Sequence, residues 1–176
     1  MKQLIFAALC LIFTNVRAQE LPMENGKVVY EQIDSIPGSS KAEIFEKAKS
    51  WIINSYPSRE KNIIRSSKDS GIMVSYGMTP FNIMHGTAGV YESFKSYYLI
   101  QVDCKDGKSR IRFYDIYIRT GYYTSKPIET WKVQGLGIDI GRKEQYRKVH
   151  IEVNNLMVIN MASFKNAITP KSSASF

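Results

Sequence analysis

The stretch from Lys95 to Arg119 constrains the fold of this 176-residue chain more than any other. It contains two apolar-rich runs that flank the dipeptide Asp106-Gly107. Such a dipeptide is typical of a type I′ turn, because both central residues of that turn need positive φ. The stretch therefore predicts an antiparallel hairpin with a two-residue loop, in which Lys105 opposes Lys108 and the pairing continues residue by residue.

This pairing divides the predicted hairpin into two faces. Near the turn, one face is apolar and the other is polar, and a slip by one residue would expose Val102 and Ile111 to solvent. The polar face opposes Asp103 to Arg110, a pair of opposite charge. The predicted inner pairs are Cys104–Ser109, Val102–Ile111, Ile100–Phe113 and Tyr98–Asp115. The predicted outer pairs are Asp103–Arg110, Gln101–Arg112, Leu99–Tyr114 and Tyr97–Ile116.

Three further segments are predicted as strands, one from its alternation of apolar and polar residues and two from the tight turn at Lys68-Asp69-Ser70 that separates them. They are residues 26–34, 61–67 and 71–78. Residues 79–93 mix glycine, proline and apolar residues without a period. We therefore predict three strands before the hairpin, and a loop over 79–93, with continuation into a strand edge as the alternative.

The first helix is predicted from its two ends. Ser40 and Glu43 have the spacing of a capping box, in which each residue satisfies the other's backbone N–H. Apolar residues then recur at helical spacing until Pro57, which disfavours helical backbone at the residue before it. This pattern predicts a helix over residues 41–55, with Trp51 in the core.

A second helix is predicted near the C-terminus. Apolar residues recur with helical spacing from Lys143 to Ile168, and Asn154-Asn155 either interrupts this helix or restarts it. Residues 120–142 are rich in turn signals, and the run WKVQGLGIDI within them fits one more short strand. A serine-rich tail over residues 169–176 is expected to be disordered.

The N-terminus has the layout of a secretory signal peptide. Lys2 supplies a positive n-region, an unbroken apolar run extends from Leu4 to Phe13, and Val16-Arg17-Ala18 precedes Gln19. Ten apolar residues are too few to span a bilayer, which needs about 20. We therefore expect residues 1–18 to be removed after Ala18, so that a single domain over 21–168 is periplasmic or secreted.

The number of cysteines and the distribution of charged residues limit the classes of function that the sequence supports. Cys10 leaves with the leader, so Cys104 has no disulfide partner and is expected to be half-buried and inert, with a reactive thiol as the alternative. Residues 105–176 carry 13 basic and 6 acidic side chains. Such a basic half is either a solvated surface or a docking site for an anionic partner.

No motif of a known catalytic or cofactor site is present. The sequence contains no GxSxG, HExxH, CxxC or P-loop, and Gly135-Leu136-Gly137 lacks the third glycine of a dinucleotide fingerprint. Two histidines, His85 and His150, with one remaining cysteine are too few to favour a zinc site. We therefore expect no metal and no cofactor.

Three stretches carry a resemblance to a known family. They are GKVVYEQIDSIPGSSKAEIFEKAKSWI, NIIRSSKDSGIM and YYLIQVDCKDGKSRIRFYDI. Over residues 21–118 the chain resembles a bacterial domain-of-unknown-function family with a TATA-binding-protein-like (TBP-like) fold, whose members are exported envelope proteins. The resemblance implies an α+β fold, a curved antiparallel sheet in the order β-α-β-β-β-β-α with two helices packed on one face, and it implies no catalytic residue.

The leading functional hypothesis is a non-enzymatic binding module of the envelope. Alternating arginine and aromatic residues over 110–119 are typical of some nucleic-acid readers, but export separates the protein from nucleic acid. An envelope protein, a glycan or a lipid is the expected partner. The alternatives are a hydrolase or other small-molecule enzyme with a cleft near His85, and an assembly subunit. The predicted partner surface is Arg110, Arg112, Tyr114, Tyr97, Leu99 and Gln101.

Overall fold

The predicted hairpin lies at the centre of a six-stranded antiparallel sheet. The computed structural model describes residues 21–56, 62–85, 89–121, 125–131 and 140–170. Within them, the sheet has the order β3-β7-β6-β5-β4, and β8 pairs with β7. The strands are β1 Met23–Glu24, β2 Lys27–Val28, β3 Tyr30–Ser35, β4 Ile63–Ser67, β5 Ile72–His85, β6 Val90–Lys105, β7 Lys108–Thr120 and β8 Lys126–Pro127.

Two helices cover one face of this sheet, which we call the inner face. Helix α1 is Lys41–Ser55 and helix α2 is Ile140–Ile168, and a 3-10 turn spans Ile128–Thr130. No helix in the described part of the chain is long and apolar enough to cross a membrane. The expected α+β architecture with both helices on one face is confirmed, with short strands β1, β2 and β8 added to the expected order.

Helix α1 has the predicted bounds and the predicted cap. The amide of Glu43 donates to Ser40 Oγ at 3.3 Å, and the amide of Ser40 donates to Glu43 Oε2 at 2.8 Å. Tyr56 is extended, as a residue before proline favours. The apolar face of the helix is buried, and Trp51 donates from Nε1 to Ser163 Oγ at 3.0 Å, which joins the two helices.

The inner face of β6 and β7 forms the core of the domain. Ile100, Val102, Ile111 and Phe113 are fully buried beneath the helices. Cys104 is 2 % exposed, more buried than the sequence suggests, and burial raises the pKa of its thiol to about 12. The thiol is therefore protonated at neutral pH, which agrees with an inert side chain.

Tyr98 anchors a polar network inside this core. Its hydroxyl lies 2.7 Å from Thr79 Oγ1 and accepts from Asn160 Nδ2 at 3.3 Å, so it connects β5 to α2. Its ring packs over Gly77, and a Cβ at that glycine would lie 2.2 Å from Tyr98 Cε2. The close approach of β5 to this ring therefore requires a residue without a side chain.

The pairing of β6 with β7 follows the predicted register only as far as Leu99–Tyr114. Beyond it a bulge intervenes, and Tyr97 opposes Tyr117. Asp115 has a φ of 49°, a conformation that aspartate tolerates better than most residues. The predicted pairs Tyr98–Asp115 and Tyr97–Ile116 are therefore wrong, because the bulge turns Ile116 inward, where it is 1 % exposed.

The turn of this hairpin also differs from the predicted type. Gly107 has a φ of 68°, whereas Asp106 has no positive φ. The Asp106 carboxylate accepts from the amide of Lys41 at 2.7 Å and so faces the start of α1. The type I′ signature occurs instead at Asn25-Gly26, where φ is 50° and 77°. That turn joins β1 to β2, so the strand predicted over 26–34 is two strands.

The loop predicted over residues 79–93 is wrong for most of its length. Strand β5 continues to His85 and β6 begins at Val90. The apolar alternation is present, since Phe81, Ile83 and Phe94 are buried, but Pro80 obscures it. Strand β4 pairs with β5 only as far as Ser75, so the missing N–H of Pro80 costs no ladder bond on that edge.

Helix α2 is longer than predicted and passes through Asn154-Asn155 without interruption. Asn154 is buried and accepts a hydrogen bond from the hydroxyl of Tyr30 at 3.3 Å. The polar side chain therefore has a hydrogen-bond partner on the buried side of the helix. Of the run WKVQGLGIDI, residues 132–139 lie outside the described residues, as do the predicted leader over 1–18 and residues 171–176 of the predicted tail.

The capping box gives a first prediction. Replacing Ser40 with alanine (Ser40→Ala) removes the acceptor for the Glu43 amide, and we expect a loss of about 1 kcal/mol in the free energy of unfolding. Urea denaturation followed by circular dichroism measures it. Ser50→Ala, at an exposed position within the same helix, is the control and is not expected to destabilise the protein. Equal stability of both variants would contradict the role of the cap.

Gly77 gives a second prediction. In Gly77→Ala, the new methyl group collides with a buried ring whose hydroxyl is held by hydrogen bonds. We expect destabilisation by about 1–3 kcal/mol, as for other overpacked cores. Asn82→Ala, at an exposed position of the same strand, serves as the control and should change the stability by less than about 0.5 kcal/mol. A Gly77→Ala protein with native urea midpoint would disprove the contact.

Candidate functional site on the helix-free face

The face of the sheet opposite the helices carries all the residues predicted as a partner surface. We call the outward-pointing residues of β3, β5, β6 and β7 the outer face. Both described helices pack against the other face, and the six predicted residues are neither buried nor fully exposed. The structure thus brings together on the outer face Arg110, Arg112, Tyr114, Tyr97, Leu99 and Gln101.

The two arginines are held by acidic residues from neighbouring strands. Arg110 donates from Nε and Nη2 to Asp103 Oδ2, at 2.8 and 2.7 Å. Arg112 Nε lies 3.2 Å from Glu31 Oε2, and Nη2 of Arg112 donates to Glu24 in β1. Glu31 also lies 3.7 Å from Arg110. The register predicts only the first of these ion pairs.

This network of ion pairs reduces the ability of the two arginines to attract a negatively charged partner. The hydrogen bond with Asp103 holds the pKa of Arg110 above its ordinary value, so its charge is fixed. Three carboxylates surround two guanidinium groups, and Gln101 donates to Asp103 at 3.0 Å as well. The middle of the outer face is therefore locally compensated in charge, and Arg110 and Arg112 are not free cations.

Next to this network lies a band of aromatic and apolar side chains. The bulge at Asp115 places Tyr117 beside Tyr97, and the regular register places Tyr114 beside Leu99. Strand β5 extends both rows, since Tyr76 opposes Leu99 and Met78 opposes Tyr97. We call these residues the tyrosine band: Tyr76, Met78, Tyr97, Leu99, Tyr114 and Tyr117.

The tyrosine band is exposed unevenly. Tyr76 is 59 % exposed and Tyr117 is 36 % exposed, whereas the others are partly covered by their neighbours. Desolvation, together with the nearby Asp115 carboxylate, raises the pKa of Tyr114, so its hydroxyl stays protonated at neutral pH. The band therefore presents neutral ring faces and hydroxyl groups.

Each end of the outer face carries two basic residues on adjacent strands. At the hairpin end, Lys105 opposes Lys108, and we call these the turn pair. At the other end, Lys95 opposes Arg119, and we call these the distal pair. The turn pair lines a depression of ≈ 250 Å³ together with Ile33, Asp103, Ser109 and Arg110. The distal pair lines one of ≈ 440 Å³ together with Ser93 and Gly121.

Sequence reasoning missed half of the tyrosine band and the distal pair. Tyr76 lies in a segment that was predicted as a strand, but its position beside Leu99 follows only from the pairing of β5 with β6. Tyr117 and Arg119 reach the outer face through the bulge at Asp115. The weak signal for that bulge is the polar Asp115 at a position that strict alternation assigns to the core.

The residues considered for catalysis are not brought together by the described structure. His85 ends β5, and its side chain lies outside the described ones, while His150 lies half-buried on α2. Among the described residues, no group of three histidine, cysteine, aspartate or glutamate side chains is arranged to hold a metal ion. The possibility of a cleft near His85 stays a prediction.

Solved structures share this architecture. A crystal structure of a DUF4468 family protein from Bacteroides ovatus ATCC 8483 is similar with a TM-score of 0.65 and 19 % sequence identity, over 91 % of this chain and 95 % of the other. A TBP-like protein from Parabacteroides distasonis ATCC 8503 is similar with a TM-score of 0.59 and 22 % identity, over 82 % of this chain and 97 % of the other. At these identities the likeness shows the fold.

The sequence itself identifies the family. No curated protein matches the chain. The family model described as a domain of unknown function (DUF4468) with TBP-like fold matches residues 30–119, which run from the first residue of β3 almost to the end of β7 and make up just over half of the chain. The resemblance seen in the sequence is thereby confirmed, and the chain belongs to the DUF4468 family of TBP-like domains.

Proposed function

We propose that this protein is an exported, non-enzymatic binding or assembly module of the bacterial envelope, and that it docks its partner on the outer face. The observation that carries this proposal is the tyrosine band, an array of aromatic and aliphatic side chains on a sheet face opposite both described helices. Tyrosine and arginine are enriched among the residues that dominate binding energy at interfaces. The outer face offers both within one surface.

The distribution of exposed apolar side chains supports the same face. Nine large hydrophobic residues are exposed within the described part of the chain, and five of them lie on the outer face. Concentration of such residues on one surface is typical of interaction sites, whereas single exposed residues are ordinary. The five are Ile33, Tyr76, Met84, Tyr91 and Tyr117.

The arginine network has a defined part in this proposal. Because Arg110 and Arg112 are held by acidic neighbours, they cannot swing towards a partner without breaking ion pairs. They lie beside the tyrosine band on β7, and their guanidinium groups have further N–H groups that can donate hydrogen bonds. Contact energy comes mainly from the band, with the arginines at its rim.

The export part of the proposal rests on the N-terminal sequence. A charged n-region, an apolar h-region and a small residue at the cleavage position occur in the order that a secretory leader requires. An enzyme with a cleft near His85 is the alternative, and no contact of the described residues favours it.

Docking on the outer face predicts a surface-specific loss of binding. In the double variant Tyr76→Ser/Tyr117→Ser, we expect at least a tenfold lower yield of the partner captured from an envelope extract, because the most exposed rings of the band are removed. Capture is quantified by mass spectrometry of the eluate from the tagged protein. Both residues lie on the solvent side, so the thermal unfolding midpoint is expected to remain close to that of the native protein.

The control removes equally exposed apolar surface from elsewhere. Val158→Ser/Ile159→Ser alters residues of α2 that are 48 % and 63 % exposed. Its capture is expected to equal that of the unmodified protein. Equal capture by all three proteins, with intact folding, would place the partner on another surface.

Export predicts a shortened N-terminus. Expressed in its host, the protein is expected to start at Gln19 and to fractionate outside the cytoplasm, as N-terminal sequencing of the fractionated protein will show. Ala18→Lys replaces the small residue at the cleavage position and is expected to leave the leader attached. A native protein that retains Met1 and stays in the cytoplasm would refute the export proposal.

A further inference from the structure

The cations of the outer face fall into two classes. Arg110 and Arg112, in the middle, have carboxylate partners. The turn pair and the distal pair have no acidic partner within 4 Å in the described part of the chain. Like charges directly opposite each other on a sheet are destabilising. An anionic group bound at each pair relieves that repulsion, so both ends of the face are suited to negative charge.

The two basic ends are far apart. Lys95 and Lys105 are ten residues apart on the same strand, which corresponds to about 33 Å of extended backbone. Each pair lines a separate depression; the one at the turn pair also contains Asp103 and Arg110, which form an ion pair with each other. A small anion occupies one end only. A ligand that uses both ends must be an elongated chain with negative charges along its length.

The surface between the two basic pairs carries the tyrosine band, whose aromatic side chains can pack against the rings of a ligand. In the described residues, none of the four tyrosines of the tyrosine band stacks on another aromatic ring, whereas the core aromatics pair with one another. Tyr76 and Tyr117 are the most exposed residues of the tyrosine band, and each carries an aromatic ring and a hydroxyl group. Sugar rings present C–H groups on their flat sides and hydroxyls at their edges, so they match this mixture.

Shape and charge select among the anionic partners. Each strand of a sheet twists about its own axis, so the outward direction of β6 and β7 changes between the turn pair and the distal pair. A flat membrane cannot touch both ends and the band of such a surface at once, whereas a flexible chain follows it. A second copy of this protein would bring the same basic pairs with it, and excess positive charge opposes that contact.

We propose that the outer face binds a linear acidic polysaccharide, whose chain lies along β6 and β7 with carboxylate groups at the distal pair and the turn pair and sugar rings on the tyrosine band. This inference rests on the proposed function, since it names the ligand of the same face. It assigns the docking role to Lys95, Arg119, Lys105 and Lys108 and to the tyrosines, rather than to the arginines of the network.

The test uses polygalacturonate, a linear carboxylated polysaccharide, and its fully methyl-esterified form, which has the same sugar chain without the charge. Isothermal titration of the purified protein in 0.15 M salt, about the physiological ionic strength, is expected to show binding of the acid form and at least tenfold weaker binding of the ester. Lys95→Ser/Arg119→Ser and Tyr76→Ser/Tyr117→Ser are each expected to weaken binding of the acid form by about tenfold or more.

A charge-matched control separates this site from general basicity. Lys49→Ser/Lys143→Ser removes two positive charges from the helices and is expected to leave the affinity within about twofold. Equal weakening by this control, equal binding of the acid and the ester, or no binding of polygalacturonate would each overturn the inference. So would equally tight binding of a single-stranded oligothymidylate, or of vesicles rich in phosphatidylglycerol, through the same residues.

Failure of this inference differs from failure of the proposed function. If polygalacturonate does not bind but partner capture from extract still depends on Tyr76 and Tyr117, the ligand class is wrong and the docking face stands. If neither depends on the tyrosine band, both are wrong.

Discussion

The fold depends on how the Asp106-Gly107 turn is fastened to the segment between β3 and α1. Gly107 donates its amide to Ser39 O at 2.9 Å and accepts from the amide of Ile36 at 2.8 Å. The Asp106 carboxylate accepts from the Lys41 amide at the first turn of α1, where helix N–H groups lack partners and a negative charge is favoured. The hairpin, the edge strand and the first helix are thus held at one point.

That attachment decides which face of the sheet is covered. With the turn fixed against the start of α1, the residues of β6 and β7 that alternate inward meet the helices, and those that alternate outward face solvent. A slip of one residue would exchange the two sets. The ion pair of Arg110 with Asp103 also favours the observed register, because it can join the two strands only in that register. The register of β6 against β7 therefore determines both the stability of the hairpin and the chemistry of the outer face.

The sequence was informative where one local rule governs the structure. The helix over 41–55 was predictable to the residue, because its cap and its terminating proline are local signals. The hairpin and its inner face were predictable as far as Leu99–Tyr114, because apolar alternation is strict there. The family resemblance supplied the layer arrangement, which local patterns alone do not specify.

The sequence was uninformative where distant strands or irregular backbone decide. The bulge at Asp115 inverts the alternation for the rest of β7, and its one weak signal is a polar residue at a position that strict alternation assigns to the core. The second half of β5 was predicted as a loop because Pro80 interrupts the pattern, although an edge strand tolerates proline. Consequently Tyr76, Tyr117 and Arg119, which complete the candidate site, could not be assigned to one surface before the pairing of β5, β6 and β7 was known.

The bulge also explains why the outer face has a chemical gradient along its strands. On the turn side of Asp115, strict alternation places Arg110 and Arg112 outward, and neighbouring strands supply the acids that compensate these two charges. Beyond it, the shifted frame places Tyr117 and Arg119 outward, opposite Tyr97 and Lys95, and no carboxylate of the described residues forms an ion pair with the basic pair there. The bulge thus lies between the arginine network, whose charges are compensated, and the distal pair, which has no such partner among the described residues. An anionic ligand gains the most binding free energy at the distal pair, because binding there breaks no ion pair of the described residues.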